Sequence, residues 1–172
     1  MPGRIEKTVF ISYRRTNFWA ALAVYQSLRI EGFDAFIDYQ NIRSGDFDKI
    51  IIDNIKARAH FLVVLSPTAL DRCNNPDDWL RREIETALDE KRNIVPLIID
   101  GFDFGSPNVV NVLTGKMSPL KYCNGLKLFP EYFPEAMARL RNEYLNIALE
   151  DVYIHPLSAE TKDITESIIP ST

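Results

Sequence analysis

The sequence has few of the residues on which the commonest catalytic sites depend. Its 172 residues include two histidines, His60 and His155, and two cysteines, Cys73 and Cys123. Two isolated histidines without a cluster of further ligands argue against a zinc site and against a Ser-His-Asp triad. Neither cysteine lies in a CxxC pair and no secretory signal precedes them, so we expect free thiols in a reducing cytoplasm.

Several binding motifs are also missing. The sequence contains neither GxGxxG after its first predicted strand nor the P-loop pattern GxxxxGK[ST]. A phosphorylated receiver domain needs acidic residues after that strand, and Ser12, Tyr13, Arg14 and Arg15 stand there instead. The net charge of −4 does not suggest a nucleic acid partner. No apolar run approaches the ~18 residues of a membrane span.

Strand and helix patterns alternate about five times along the chain. Apolar runs rich in β-branched and aromatic residues predict strands at residues 8–13, 35–37, 60–66, 93–99 and 125–129. Helical spacing predicts helices at residues 18–29, 46–58, 79–90 and 134–145, with one further turn at 109–113. This alternation indicates an α/β fold in which helices cover both faces of a five-stranded, mainly parallel sheet.

Two further expectations concern the edges of this unit. Pro96 cannot donate to a strand ladder, so the fourth strand should lie towards an edge of the sheet or carry a bulge. We expect the domain to span residues 1–147. Residues 148–172 are predicted to form a partly ordered tail that packs through Val152, Tyr153 and Ile154.

One predicted helix places a carboxylate beside an indole. Asp77 or Asp78 can cap its first turn, and Trp79 and Glu83 lie four residues apart on one side. Its apolar stripe consists of Leu80, Ile84, Ala87 and Leu88. Glu83 falls at the margin of that stripe, where partial loss of water should raise its affinity for a proton. The alternative is a surface glutamate beside a tryptophan that covers the core edge.

The predicted sheet brings candidate residues to one rim. Ligands of doubly wound sheets bind at the carboxyl ends of the strands. The segments that reach this rim are residues 12–15, 38–47 and 66, the helix start at 79, and the loop 100–106. Trp79 and Glu83 therefore lie on the edge where a ligand is expected.

Taken together, four segments resemble a Toll/interleukin-1 receptor (TIR) domain over roughly residues 6–147, with its flavodoxin-like fold. They are VFISYRR from Val9, GFDAFID from Gly32 with IRSGDF from Ile42, VVLSP from Val63 with DWLRREI from Asp78, and NIVPLI from Asn93. Each is weak alone, but their order and spacing are similar to those of the family. A glutamate four residues after the tryptophan is typical of its NAD-cleaving branch, which includes bacterial anti-phage proteins.

The resemblance implies cleavage of the bond between nicotinamide and ribose in NAD. Glu83 would be the catalytic residue, orienting the ribose hydroxyls and stabilising positive charge, and Trp79 would form a wall beside the ribose. Phe47 and Phe104 would flank the nicotinamide, although Phe47 could equally be a core residue. NAD is then the substrate, and neither a cofactor nor a metal is expected.

The same resemblance implies further substrate-binding positions. Arg14 and Arg15 would grip the pyrophosphate, unless they are solvated charges or partners of Asp38. Gly45 would let the loop after the second strand, the BB loop, pass close to the ligand, and Ser12, Tyr13 and Asp38 complete the set. The sequence departs from the family in the stretch 117–123, which looks inserted, and in the tail after about residue 147. Phe104 also stands where a tryptophan can occur.

The resemblance leaves three functions open. The first is an NAD glycohydrolase or cyclase that associates with itself through the BB loop. Its product, ADP-ribose or a cyclic isomer, would signal to a separate effector in bacterial anti-phage defence. The second is a non-enzymatic scaffold that binds other TIR domains. The third is another glycosidic-bond enzyme, such as a nucleoside deoxyribosyltransferase. Neither a nucleic acid nor a membrane is an expected partner.

Overall fold

A parallel sheet forms the centre of the computed structural model, which describes residues 4–38, 46–149 and 152–168. The strands are β1 (Arg4–Ile5), β2 (Thr8–Ser12), β3 (Asp34–Ile37), β4 (His60–Leu65), β5 (Asn93–Ile98), β6 (Leu126–Lys127) and β7 (Ala148–Leu149). The main sheet has the order β3-β2-β4-β5-β6, and each neighbouring pair in it is parallel. This is the strand order of flavodoxin-like proteins, as predicted. β1 and β7 form a separate antiparallel pair that the sequence did not predict.

Helices connect the strands on both sides of the sheet. They are α1 (Phe18–Ile30), α2 (Asp46–Lys56), α3 (Trp79–Asp89), α4 (Pro107–Val112), α5 (Phe133–Arg139) and α6 (Ala159–Ile168). The first three match their predicted ranges within two residues. The predicted helix 134–145 is instead α5 followed by a π-helical turn, Leu140–Tyr144. Within the described ranges, no helix has both the length and the apolar character needed to cross a bilayer.

The hydrophobic core lies in two layers, one on each face of the sheet. Val9 and Ile11 of β2 face the layer that contains α1 and α5, whereas Phe10 faces the layer that contains α2 and α3. In the second layer Phe10 stacks between Phe36 and Phe61, with ring centroids 5.2 and 5.5 Å away. Burial on both faces explains why these strands read as continuous apolar runs.

The proline-containing strand lies next to the edge of the sheet. Pro96 pairs in register with Val63 of β4, while the short edge strand β6 pairs only with Leu97 and Ile98. The predicted position near an edge is therefore confirmed. The predicted strand 125–129 was too long, because only Leu126 and Lys127 join the ladder and Pro130 begins a 3-10 turn.

The C-terminal residues pack against the sheet domain through a helix. Thr165 of α6 accepts a hydrogen bond from Nδ2 of the fully buried Asn54, and Ile168 is buried in the α2–α3 core layer. The expected packing through Tyr153 is wrong for its side chain, which is 67% exposed. Its carbonyl oxygen accepts from Nη2 of the buried Arg92 at 2.6 Å, and its ring meets the exposed His155 edge to face.

Candidate active site

The helix α3 begins where the sequence predicts. Asp78 has extended backbone angles and its side chain accepts the N–H of Arg81 at 3.1 Å, so it is the N-cap. Asp77 is exposed and does not cap. The cap fixes the first turn, and Glu83 follows one turn later on the side that faces the sheet.

Glu83 and Ser12 meet at the carboxyl end of β2. The Ser12 hydroxyl donates to Oε1 of Glu83 across 3.1 Å. Ser12 is 1% exposed and Glu83 is 3% exposed. The sequence placed Glu83 at the margin of the buried stripe, and this was wrong, because the end of β2 lies directly against its carboxylate. A hydroxyl donor to one oxygen orients the carboxylate.

Trp79 occupies the first position of α3 and is half-buried. The guanidinium of Arg82 lies 4.4 Å from the centroid of its ring, within the range of a cation–π contact. Trp79 therefore lies at the edge of the core, one turn before Glu83. Its role as a wall beside a ribose stays a prediction.

The guanidinium of Arg14 is hydrogen-bonded to residues at and before the start of α3. Its Nη1 and Nη2 pair with both oxygens of Asp78, at 2.7 and 2.9 Å, and its Nε donates to the carbonyl of Ala69 at 2.6 Å. The alternative that Arg14 pairs with Asp38 was wrong, because its partner is Asp78. The bidentate pair orders the loop before α3, so a grip on pyrophosphate by Arg14 competes with this contact.

Arg15 differs from its neighbour in both exposure and contacts. It begins a short 3-10 turn and is exposed, and its side chain makes no hydrogen bond or ion pair with the described residues. Its guanidinium remains available to a phosphate. Of the two arginines predicted to bind pyrophosphate, Arg15 is the one that the geometry favours.

The Asp78 carboxylate also sits beside a buried thiol. Burial raises the pKa of Asp78, but hydrogen bonds from Arg14 and from the Arg81 N–H outweigh this, so its pKa lies below the ordinary value. Burial and the adjacent Asp78 carboxylate raise the pKa of Cys73 to about 12. Cys73 is thus protonated at neutral pH, which disfavours it as a nucleophile. The sequence analysis did not predict that Arg14, Cys73 and Asp78 contact one another.

Tyr13 joins the ends of β2 and β3. Its hydroxyl donates to the carbonyl oxygen of Asp38 across 2.6 Å, and its ring packs against Phe18. Asp38 is 4% exposed. Both residues therefore fix the point at which the chain enters the segment 39–45. The predicted ligand-binding Gly45 lies outside the described residues.

The two phenylalanines predicted to flank nicotinamide are half-buried. Phe47, in the first turn of α2, packs against the α2–α3 core layer, which agrees with the alternative that it is a core residue. Phe104 contacts the same layer and meets Phe102 edge to face, with centroids 4.9 Å apart. The structure shows them as core-edge residues, and contact with nicotinamide stays a prediction.

One pair of rim residues had no assigned role in the sequence. Asn17, at the start of α1, donates to the Ser66 hydroxyl across 2.9 Å, and both residues are buried. This contact ties the end of β4 to α1 beside the Ser12–Glu83 pair. The only signal for this pair in the sequence was that polar residues follow each strand.

The chemistry open to this rim is that of a single oriented carboxylate. Among residues 4–38, 46–149 and 152–168, no group of three histidine, cysteine, aspartate or glutamate side chains is arranged to hold a metal ion. A buried carboxylate can stabilise a developing positive charge or act as a nucleophile. Both roles suit cleavage of a glycosidic bond with a cationic leaving group.

Comparison with known proteins gives a consistent result. The family model of the TIR domain matches residues 9–140, which include Ser12 and Glu83. The NAD(+) hydrolase tir-1 of Caenorhabditis elegans is 36% identical over 141 residues, and the NAD(+) hydrolase SARM1 of Danio rerio is 38% identical over 128 residues. These alignments cover 77% and 72% of this chain but 14% and 17% of the relatives. The chain thus spans a small part of their length.

A solved structure agrees with the observed fold. The TIR domain of the Toll-related Receptor TRR-2 from Hydra magnipapillata superposes with a TM-score of 0.51 at 20% sequence identity. The match covers 80% of this chain and 98% of that domain. At this level of identity the similarity establishes the architecture of the sheet and its helices.

Proposed function

The chain belongs to the TIR domain family, and from its Ser12–Glu83 site we propose that it cleaves the bond between nicotinamide and ribose in NAD. The observation that carries the proposal is a glutamate held almost fully buried at the carboxyl edge of the sheet by a serine hydroxyl at 3.1 Å. The two relatives that are named NAD(+) hydrolases support it.

The proposed reaction needs only one carboxylate. Nicotinamide leaves as a neutral base with the electron pair of the broken C–N bond, so no acid has to protonate it. The ribose carbon becomes oxocarbenium-like, and the Glu83 carboxylate stabilises that charge. Ser12 keeps Oε1 in position. Water that adds to the carbon and loses a proton gives ADP-ribose, whereas attack by an adenine nitrogen or a ribose hydroxyl gives a cyclic isomer.

We propose Arg15, Trp79, Phe47 and Phe104 as the residues that position NAD. Arg15 is exposed near the end of β2, where its guanidinium can meet the pyrophosphate. Trp79 lies one turn before Glu83, and Phe47 and Phe104 border the same core layer. A second copy of the chain completes the site through the BB loop in this proposal, and a separate effector in anti-phage defence senses the product.

The decisive experiment is incubation of the purified chain with NAD and identification of the products by mass spectrometry. Glu83→Gln should lower turnover at least about a hundredfold, as expected for loss of a charge-stabilising group. Glu135→Gln, which removes an exposed carboxylate from α5, is the matched control and should keep the activity. Circular dichroism must show that both variants fold.

The outcomes separate the candidate functions. Free ADP-ribose identifies a hydrolase and a cyclic isomer identifies a cyclase. Equal turnover by folded Glu83→Gln and the unchanged chain excludes the proposed role of Glu83. No reaction at any protein concentration favours the scaffold. Activity that rises faster than linearly with protein concentration supports a site completed by a second copy.

A further inference from the structure

A cavity lies at the amino edge of the sheet, away from Glu83. It has a volume of about 510 Å³ and is bounded by the end of α1, the start of β3, the end of α2 and the C-terminal segment. Pro156 and Leu157 contribute an apolar wall, while Arg29, Arg58 and Lys162 contribute positive charge. Its volume falls in the range of small-molecule sites, roughly 300–1,000 Å³.

Arg58 is the buried polar group of this cavity. Its side chain is 6% exposed, and its Nη1 donates to the carbonyl of Asp34 at 2.6 Å. Its Nη2 lies 3.5 Å from Oδ1 of Asn54. Its Nε is fully buried without a hydrogen-bond partner in the described part of the chain. The Arg58 guanidinium therefore contributes a fixed positive charge to the wall of the cavity.

The charges around the cavity do not balance internally. The Asp34 carboxylate pairs with two guanidinium groups. Its Oδ1 lies 3.1 Å from Nη1 of Arg58 and 3.7 Å from Nη1 of Arg29, and its side chain is 63% exposed. Lys162 is exposed and makes no ion pair with another described residue. Three cationic groups and two carboxylates, Asp34 and Glu166, leave one excess positive charge. This excess occurs in a chain whose net charge is −4.

We propose that this cavity binds a small phosphate ester, such as a sugar phosphate. Arginine and lysine donors match the acceptor oxygens of a phosphate, and the apolar wall can accommodate the attached carbon skeleton. A ligand held by Arg29 and Arg58 on one side and Lys162 on the other joins the sheet domain to α6. The site is independent of NAD cleavage, because it lies at the opposite ends of the strands.

The test uses the full chain, labelled with nitrogen-15, and titrates ribose 5-phosphate with ribose as the uncharged probe. Amide signals of residues 157–166 and of Arg58 should shift and saturate with ribose 5-phosphate and stay in place with ribose. Lys162→Gln removes an exposed charge, so folding is preserved, and it should weaken affinity at least about fivefold. Lys49→Gln on the exposed side of α2 is the matched control.

The proposal is overturned by any of three results. The first is the absence of saturable shifts with ribose 5-phosphate. The second is a set of shifts confined to the surroundings of Ser12 and Glu83, which would place the phosphate in the NAD site. The third is equal weakening by Lys49→Gln and Lys162→Gln, which would indicate general attraction to surface charge. None of these results bears on whether the chain cleaves NAD.

Discussion

The hydroxyl of Ser12 donates to Oε1 of Glu83 across 3.1 Å and joins the end of β2 to the middle of α3. The two residues are 71 positions apart in the sequence and both are almost fully buried. A carboxylate held in this way is oriented before any substrate arrives. Preorganisation of this kind contributes to catalysis because no group has to reorient during the reaction.

We expect Ser12→Ala to lower the turnover of NAD roughly ten- to a hundredfold while the fold is kept, because one hydrogen bond to a charged group is worth roughly 1.5–3 kcal/mol. Steady-state kinetics with NAD measure the effect.

Ser66→Ala is the matched control for this variant. It also removes a buried hydroxyl after a central strand, but that hydroxyl is bonded to Asn17 rather than to Glu83. An equal loss of turnover in Ser66→Ala and Ser12→Ala would mean that general loosening, and not loss of the Ser12 hydrogen bond, is responsible.

Substitutions of the adjacent residues Arg14 and Arg15 should have different effects, one on stability and the other on substrate binding. Arg14→Gln breaks a bidentate pair whose side chains are 16% and 8% exposed, so we expect the free energy of unfolding to fall by about 2–3 kcal/mol. Arg15→Gln should leave stability unchanged and raise KM for NAD about fivefold, because the exposed guanidinium is the proposed phosphate contact. Urea unfolding and steady-state kinetics measure the two effects. A stable Arg14→Gln with raised KM would reverse the assignment.

The positions of the main strands along the chain could be predicted from the sequence, whereas contacts between distant residues could not. Strands buried on both faces produce apolar runs, and Asp78 followed by helical spacing marks the start of α3. The pairing of Arg14 with Asp78 spans 64 positions, and no local pattern encodes it. The prediction also omitted α6, because two of its buried positions are the threonines Thr161 and Thr165 rather than apolar residues.

His60 should make stability depend on pH. It is fully buried between the carbonyl of Glu6, 2.8 Å from Nε2, and the Asn93 amide, 2.9 Å from Nδ1, which suits a neutral ring. Burial lowers its pKa from 6.5, with the Glu6 carbonyl opposing in part. The unfolded chain therefore binds a proton first as pH falls, so the free energy of unfolding should decrease below pH 6.5 and level off once the folded ring is protonated.

Denaturant unfolding at several pH values between 7.5 and 5 measures this slope. His60→Gln should flatten it, since the titrating group is gone. His155→Gln should keep it, because that ring is 45% exposed. An unchanged slope in His60→Gln would assign the pH dependence to other groups.

The attachment of α6 should depend on Thr165. Nδ2 of the fully buried Asn54 donates to the carbonyl of Ile50 and to the Thr165 hydroxyl, each at 2.9 Å. Thr165→Val keeps the shape but leaves one buried N–H without an acceptor, which costs about 1–3 kcal/mol. Hydrogen exchange of the α6 amides should accelerate correspondingly. Thr86→Val on α3 removes a hydroxyl bonded only to the exposed carbonyl of Arg82 and is the control. Equal exchange in both variants would show that α6 is held by apolar contacts such as Ile168 alone.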